Sequence, residues 1–281
     1  MPWSKPWRRS APSRPRPMAR RVERPGITIK NATEVAKMRD AGRIVVEIHR
    51  RIESALVPGI STRELDAIAK ATMDEFGAQS SFLGYGEPGF PGHICTSVNE
   101  EIVHGIPGRR VLMDGDIISV DVGVHINGFH GDSAWTYAVG TPSAKAVALL
   151  RATEEALAAA VLAAQPGGRL GAVSHAVEAY AMAHGFGLVQ DYGGHGIGRQ
   201  MHEDPHVPNH GDPTRGTLLR PGLTLAIEPM LTTGSALTRV LDDKWTVVTA
   251  DGSLAAHFEH TVVITTEAAG VLTERPVPLL H

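Results

Sequence analysis

The feature that most constrains this chain is an internal echo. Pro58-Gly59 to Gly77 and Pro166-Gly167 to Gly185 have the same internal spacing, offset by 108 residues. At an offset of 107, Leu112-Met113-Asp114-Gly115-Asp116-Ile117-Ile118-Ser119-Val120-Asp121 lines up with Leu219-Arg220-Pro221-Gly222-Leu223-Thr224-Leu225-Ala226-Ile227-Glu228. In each half a glycine turn feeds an apolar strand that ends in a carboxylate. The period is too long for a solenoid repeat. It predicts two related halves, each helix–helix–strands, joined around a shared site.

Local signals fill in the halves. Asn31 or Thr33 can cap a helix through about Ile52, with Val35, Met38, Ile44, Val45 and Ile48 on one face. Ser61-Thr62-Arg63-Glu64 is a capping box opening a second helix that ends at Gly77. Strand-like stretches follow at Ile94–Val98 and Ile117–Val124. An Asn127-Gly128 hairpin then leads into a strand through Val139. The second half restarts with a helix from Ser143 to Ala164 and another ending at Gly185.

Composition sets bounds on the function. Apolar residues at 42% and charged residues at 20% are ordinary for a globular protein, and 281 residues suffice for one large domain or two small ones. No run of about 18 apolar residues occurs, so no membrane span is expected. No secretory signal is read, and the single cysteine, Cys95, rules out an internal disulfide. A reducing, cytoplasmic location is therefore expected. Residues 1–25 carry eight Lys/Arg against one acid, Glu23, so the rest of this −3 chain is at −10. An acidic body argues against a nucleic-acid-binding domain, so no DNA partner is expected. The stretch 1–26, with Pro12-Ser13-Arg14-Pro15-Arg16-Pro17, reads as a disordered basic tail, and 27–281 as the folded body. The tail can be a solvated extension, a start annotated ahead of Met18, or a contact for ribosomal RNA or a proline-reading domain.

The chemistry lies in carboxylates on strands. With a two-residue type I′ turn at Asn127-Gly128, Asp132 faces Gly123 and Asp121 faces Ala134, so both acids point from one face of an otherwise apolar ribbon. Two such acids repel and are costly to bury without a cation; a solvated acidic face is the plainer reading of the pair alone. The segment Gly193-Gly194-His195-Gly196-Ile197-Gly198-Arg199-Gln200-Met201-His202 puts two histidines seven apart among glycines, where a ligand can approach closely. Glu228 ends a strand before Pro229, and Glu259 opens the run Thr261–Ile264. Four carboxylates and one imidazole suit Mn, Fe, Co or Zn and balance two divalent cations, the donor set of a two-metal hydrolase.

Over residues 27–270 the sequence resembles the type I methionine aminopeptidases. The likeness rests on Gly84-Tyr85, Ser97-Val98-Asn99-Glu100, His104-Gly105-Ile106-Pro107, the Asp121/Asp132 pair, Gly194-His195-Gly196-Ile197-Gly198, Ile227-Glu228-Pro229-Met230 and Glu259-His260-Thr261. The resemblance implies an α+β pita-bread fold, a pseudo-twofold antiparallel sheet core covered by two pairs of helices. It also implies removal of the initiator methionine from nascent polypeptide N-termini when the second residue is small, by hydroxide activated between two metals. By the same likeness Asp121, Asp132, His195, Glu228 and Glu259 match metal ligands, with Asp132 and Glu259 bridging. Asp121 serves one metal, and His195 and Glu228 the other. His104 and His202 match histidines that hold substrate and steady the tetrahedral intermediate, and Glu228 is the proton carrier. Tyr85, Phe90, Cys95, Met201, Met230 and Trp245 match the methionine pocket, although each also reads as ordinary core.

Some positions depart from the family. It often has an aromatic where Met201 stands, and a cysteine near Phe82 and at Val103, so the pocket and its inhibitor preferences should differ. Only 25 residues separate His202 from Glu228, which excludes the helical insertion of type II enzymes. The zinc-binding extension of eukaryotic type I enzymes cannot be built from one cysteine. X-Pro peptidases share the ligand types but usually carry a large N-terminal domain, and only 26 residues precede the fold here. A binding module on the same fold would have lost ligands, and all five are kept. The resemblance favours a monomer.

Overall fold

The computed structural model describes residues 26–275. The expected basic tail therefore lies outside the described residues apart from Gly26, as does the end of the body beyond Arg275.

Each helix begins where its cap dictates. Helix α1 (Ala32–Ala55) opens at Asn31, whose side chain accepts the Glu34 N–H while the Glu34 carboxylate accepts the Asn31 N–H. Asn31, not Thr33, is the cap. Helix α2 (Thr62–Phe76) uses the same reciprocal pair, Ser61 with Glu64, and stops at Gly77 with φ 64°. In the second half, α3 (Ala144–Ala163) is capped by Ser143, and α4 (Leu170–Ala183) ends before Gly185, whose φ is 73°.

The strands of the first half are β1 (Gln79–Ser80), β2 (Cys95–Val98), β3 (Glu101–Val103), β4 (Ile117–Ile126) and β5 (Phe129–Ala138). Those of the second half are β6 (Gly187–Leu188), β7 (Gly193–Gly196), β8 (Glu203–Pro208), β9 (Thr224–Ile227), β10 (Met230–Thr232), β11 (Thr238–Val240), β12 (Val247–Thr249), β13 (Ala255–His257), β14 (His260–Ile264) and β15 (Ala269–Val271). All ladders are antiparallel. One sheet runs β1-β4-β2 with β5 on β4, and another runs β15-β14-β9-β7-β8. Two small sheets, β13-β10-β6 and β11-β12-β3, complete the set among the described residues.

Alternation along the strands decides which face meets helices. From β4, Ile118, Val120, Val122 and Val124 pack on Val45, Ile48 and Ile52 of α1 and on Leu65, Ala69 and Met73 of α2. Leu225 and Ile227 of β9, with Val262 and Ile264 of β14, pack on Leu149, Leu150 and Leu157 of α3 and Val173 and Val177 of α4. Each fully buried aliphatic of this kind is worth about 1.5–3 kcal/mol, so each helix pair is tied to its own sheet. The opposite strand faces, bearing the carboxylates, turn toward the middle. There the halves are joined edge to edge: the Glu259 N–H donates to the Ala134 carbonyl at 2.7 Å, and Thr261 Oγ1 to the Asp132 carbonyl at 2.8 Å.

Candidate metal centre

Two hairpins deliver the four carboxylates. In the first, Asn127 (φ 53°) and Gly128 (φ 80°) make the tight turn, and the observed partners are Asp121 with Ala134 and Gly123 with Asp132. In the second, Ile227 pairs with His260 and Met230 with His257. That common register sets Glu228 opposite Glu259, in a gap where Pro229 interrupts the ladder. Glu228 thus stands just past the end of β9, whereas Asp121 lies inside β4 and does not end it.

His195 comes from β7, and here the structure corrects the reading of the glycines. The segment is a strand inside the five-stranded sheet, and its glycines admit neighbouring backbone, not a ligand. A Cβ on Gly194 would sit 2.1 Å from the Ala226 carbonyl oxygen, and one on Gly196 would sit 2.3 Å from that of Asp204. The turn after β7 is clamped by a buried ion pair, Lys30 Nζ to Glu203 at 2.5 Å, which anchors the neighbour of His202.

Ligand atoms of Asp132, His195 and Glu259 lie within 4.8 Å of one another, all buried. His195 Nε2 is 3.9 Å from Asp132 Oδ2 and 3.9 Å from Glu228 Oε1. Asp121 Oδ1, Asp132 Oδ1 and Glu259 Oε1 are buried without a hydrogen-bond partner. Burial pushes the Asp121 carboxyl up to about 7, with Glu228 adding repulsion and His257 opposing it. Burial, then the neighbouring acids, drive Asp132 and Glu259 well above the carboxylate range. Glu228 behaves otherwise: burial raises it, but the imidazoles of His257, His195 and His104 outweigh burial and hold it low. Orphaned, mutually repelling hard oxygen donors with one imidazole fit divalent cations, whose charge reverses this penalty.

The predicted pocket is only partly one cluster. Phe90, Cys95 and Met201 are buried together, with half-buried Trp245 against them. Phe90 meets Trp245 edge-on at 5.3 Å. Burial pushes the Cys95 thiol far up, and the nearby Asp121 charge adds to this, so the side chain is a neutral apolar wall. Tyr85 stands exposed at the rim, its hydroxyl 2.7 Å from His202 Nδ1. Met230 lies elsewhere, in a separate apolar cluster with Ile102, Val103 and Val247. The His202 ring stacks obliquely over His195 at 4.2 Å. His104, at φ 60°, is edge-on to Trp245 at 6.1 Å, and burial lowers it to about 4, so it is neutral near pH 7.

The sequence model of metallopeptidase family M24 matches residues 36–266. Methionine aminopeptidase 1 of Bacillus subtilis is 51% identical over 247 residues, 88% of this chain and 99% of that relative. The chain belongs to metallopeptidase family M24, among its methionine aminopeptidases. The crystal structure of methionine aminopeptidase from Thermotoga maritima superposes on this M24 chain with a TM-score of 0.86 at 43% identity, covering 89% of this chain and all of that one. A prolidase from Pyrococcus furiosus, 23% identical with a TM-score of 0.71, shares the fold; this chain spans 66% of its length. The architecture is the pita-bread fold.

One residue facing the M24 centre escaped the sequence reading. His257 is buried with Nε2 3.6 Å from Glu228 Oε2 and 4.0 Å from Glu259 Oε2. The available signal was its place two residues before Glu259.

Proposed function

We propose that this M24 chain removes the initiator methionine from nascent polypeptides whose second residue is small. The observation that carries the reading is the convergence of Asp132, His195 and Glu259 beside the apolar Phe90–Cys95–Met201–Trp245 cluster, whose Cys95 pairs with Asp121 across β2 and β4, in a chain with a 51%-identical methionine aminopeptidase relative. Asp121, Asp132, His195, Glu228 and Glu259 would hold two divalent cations from among Mn, Fe, Co and Zn, with Asp132 and Glu259 shared between them. Bound there, the cations would supply Lewis acidity and lower the pKa of water.

The chain's own groups do the rest. Glu228, held low against its burial chiefly by the neighbouring His257, takes the proton of the attacking water and returns it to the leaving amine. His202, steadied by the Tyr85 hydroxyl, and neutral His104 donate hydrogen bonds to the scissile carbonyl as it gains charge. The cleft packs the unbranched thioether against sulfur and aromatic edges. Tyr85 stands at its rim, and Met230, two residues after Glu228, packs in the neighbouring cluster.

The body read over 27–281 acts as one catalytic unit, a cytoplasmic monomer, and the basic tail 1–26 is an appendage that can touch the ribosome. Among the described residues no helix is long and apolar enough to cross a membrane.

The test is release of methionine from Met-Ala-Ser against cleavage of Ala-Pro-Ser, after chelation and then with each metal restored. Metal-restored release from Met-Ala-Ser alone is expected. Cleavage of only the X-Pro peptide would move the chain to the prolidase-like activities. Turnover of neither with any metal would make it a binding module.

A further inference from the structure

We propose that His257 is a positioning residue for Glu228, donating a hydrogen bond from Nε2 to the carboxylate oxygen that faces away from His195. This rests on the reading of Glu228 as a ligand of the centre and adds a residue to that site.

His257 is a buried polar group left without a partner. It is 2% exposed, and neither of its ring nitrogens has a hydrogen-bond partner. A buried imidazole is not left so without cost, and the acceptors nearest Nε2 are Glu228 Oε2 at 3.6 Å and Glu259 Oε2 at 4.0 Å. A charge-assisted N–H···O bond spans about 2.7–2.9 Å, so a movement of under about 1 Å completes the one to Glu228.

The backbone of His257 cannot retreat from that contact. Its N–H donates to Thr136 Oγ1 at 2.9 Å, its carbonyl accepts from the same hydroxyl at 2.7 Å, and its Cα is paired with Met230. It is therefore pinned to β5 of the first half and β10 of the second. Glu228, by contrast, sits in the ladder gap before Pro229, without the regular strand bonds that fix Asp121 and Asp132. Its main-chain carbonyl is held by the Asn209 side-chain amide at 3.0 Å, which leaves the carboxylate to be oriented by side-chain contacts.

Its two oxygens face different imidazoles. Oε1 is 3.9 Å from His195 Nε2, on the side where Asp132, His195 and Glu259 converge, and Oε2 is turned to His257. His257 is outside that converging group. Ligating carboxylates are oriented by outer hydrogen bonds, and loss of such a bond typically weakens metal binding 10–100-fold. With Oε2 held by His257, Glu228 presents one oxygen to the centre, in a fixed direction.

The experiment compares the full chain with its His257→Leu and His257→Gln variants. Leucine fills the space without a donor; glutamine keeps an N–H donor. Co(II) affinity is measured by calorimetry and the visible Co(II) spectrum is recorded, with metal-free melting as the check on folding. The expected result is 10–100-fold weaker Co(II) binding in His257→Leu, restored to within about threefold in His257→Gln with an unaltered spectrum. If His257→Leu does not fold, His257→Asn, whose shorter amide falls short of Glu228, takes its place with the same expected weakening. Unchanged affinity in the variant lacking the bond overturns the proposal while leaving the metal reading intact. Equal weakening in the glutamine variant, with displaced Co(II) bands, makes His257 a direct ligand and also overturns it. Failure of the unmodified chain to bind Co(II) removes both readings together.

Discussion

The two halves reach the same end, a pair of carboxylates on one face of a strand pair beneath two helices, by different means. In the first, ten-residue strands β4 and β5 run unbroken through Asp121 and Asp132 and close in a two-residue turn. In the second, the corresponding ladder is split by Pro229 and Phe258 into β9–β14 and β10–β13, and thirty residues separate Glu228 from Glu259. The first half uses the short acid on a rigid ribbon. The second uses the longer acid on an interrupted one and spends the intervening chain on β11, β12 and Trp245. Rigidity lies on one side, and the adjustable carboxylate, with the residues closing the cleft, lies largely on the other.

The largest effect should come from removing one shared carboxylate per half. Asp132→Asn and Glu259→Gln should each lower kcat/KM by about a thousandfold or more, since each removes charge that balances the cations. Each should also raise the melting temperature of the metal-free protein, because an uncompensated buried charge is gone. A metal-free melting point that falls would mean these acids are not repelling each other in the fold. A large inequality in kcat/KM between the two variants would break the comparison at its centre.

Next in size is the cleft, where second-half Met201 meets first-half Phe90 and Cys95. Met201→Ala should cost about 10–100-fold in kcat/KM for a methionyl peptide, by the usual worth of lost pocket contacts. Steady-state kinetics on Met-Ala-Ser would show it, and an unchanged value would remove Met201 from the pocket.

The helix layers differ as well. His49 of α1 lies buried between the Tyr137 hydroxyl at 3.0 Å and the Ser133 carbonyl at 3.1 Å, where the echo places Leu157 in α3. Burial lowers His49 to about 3 from 6.5, against the opposing pull of the Ser133 carbonyl. Below pH 6.5 the unfolded chain takes up a proton that the folded one refuses. This contribution to stability is therefore complete above pH 6.5 and falls as the pH drops toward 3. At pH 5 the loss is about 2 kcal/mol. Denaturant melts at pH 7 and pH 5 should show a smaller drop for His49→Gln than for the unmodified chain. Equal drops would place the acid sensitivity elsewhere.

How much of this was legible follows the same division. The first half is legible because its signals are local: a cap at Asn31 or Thr33, the Ser61–Glu64 capping box, a glycine stop, and a turn whose two residues set the register of Asp121 and Asp132. The second hairpin has no turn signal, since its strands are three to five residues long and pair across a long excursion. Its register of Glu228 and Glu259 rests on tertiary contact with β5. For His257 the one local signal is its place two residues before Glu259, and its partners Thr136 and Glu228 are set by tertiary contact. The glycines around His195 were visible, but their cause, the close approach of Ala226 and Asp204, was not. The likeness places Met230 with the cleft residues, whereas its side chain, just past the Pro229 gap, packs with Ile102, Val103 and Val247.

The smallest effect tests whether the first hairpin's rigidity is set by its turn. Gly128 has φ 80° and no neighbour within 4 Å of a would-be Cβ, so Gly128→Ala pays only for backbone conformation. That cost is about 1 kcal/mol, or roughly 2–4 °C in melting temperature for a chain of this size. The ladder beyond the turn has eight further residue pairs between Ile117 and Val124 and their partners, all unaltered. The spacing of Asp121 and Asp132 should therefore persist, and kcat/KM should stay within about twofold. If activity instead fell in step with stability, the turn and not the ladder would be fixing the carboxylates. The first half would then be no more self-sufficient than the second, whose carboxylates depend on neighbours from across the molecule.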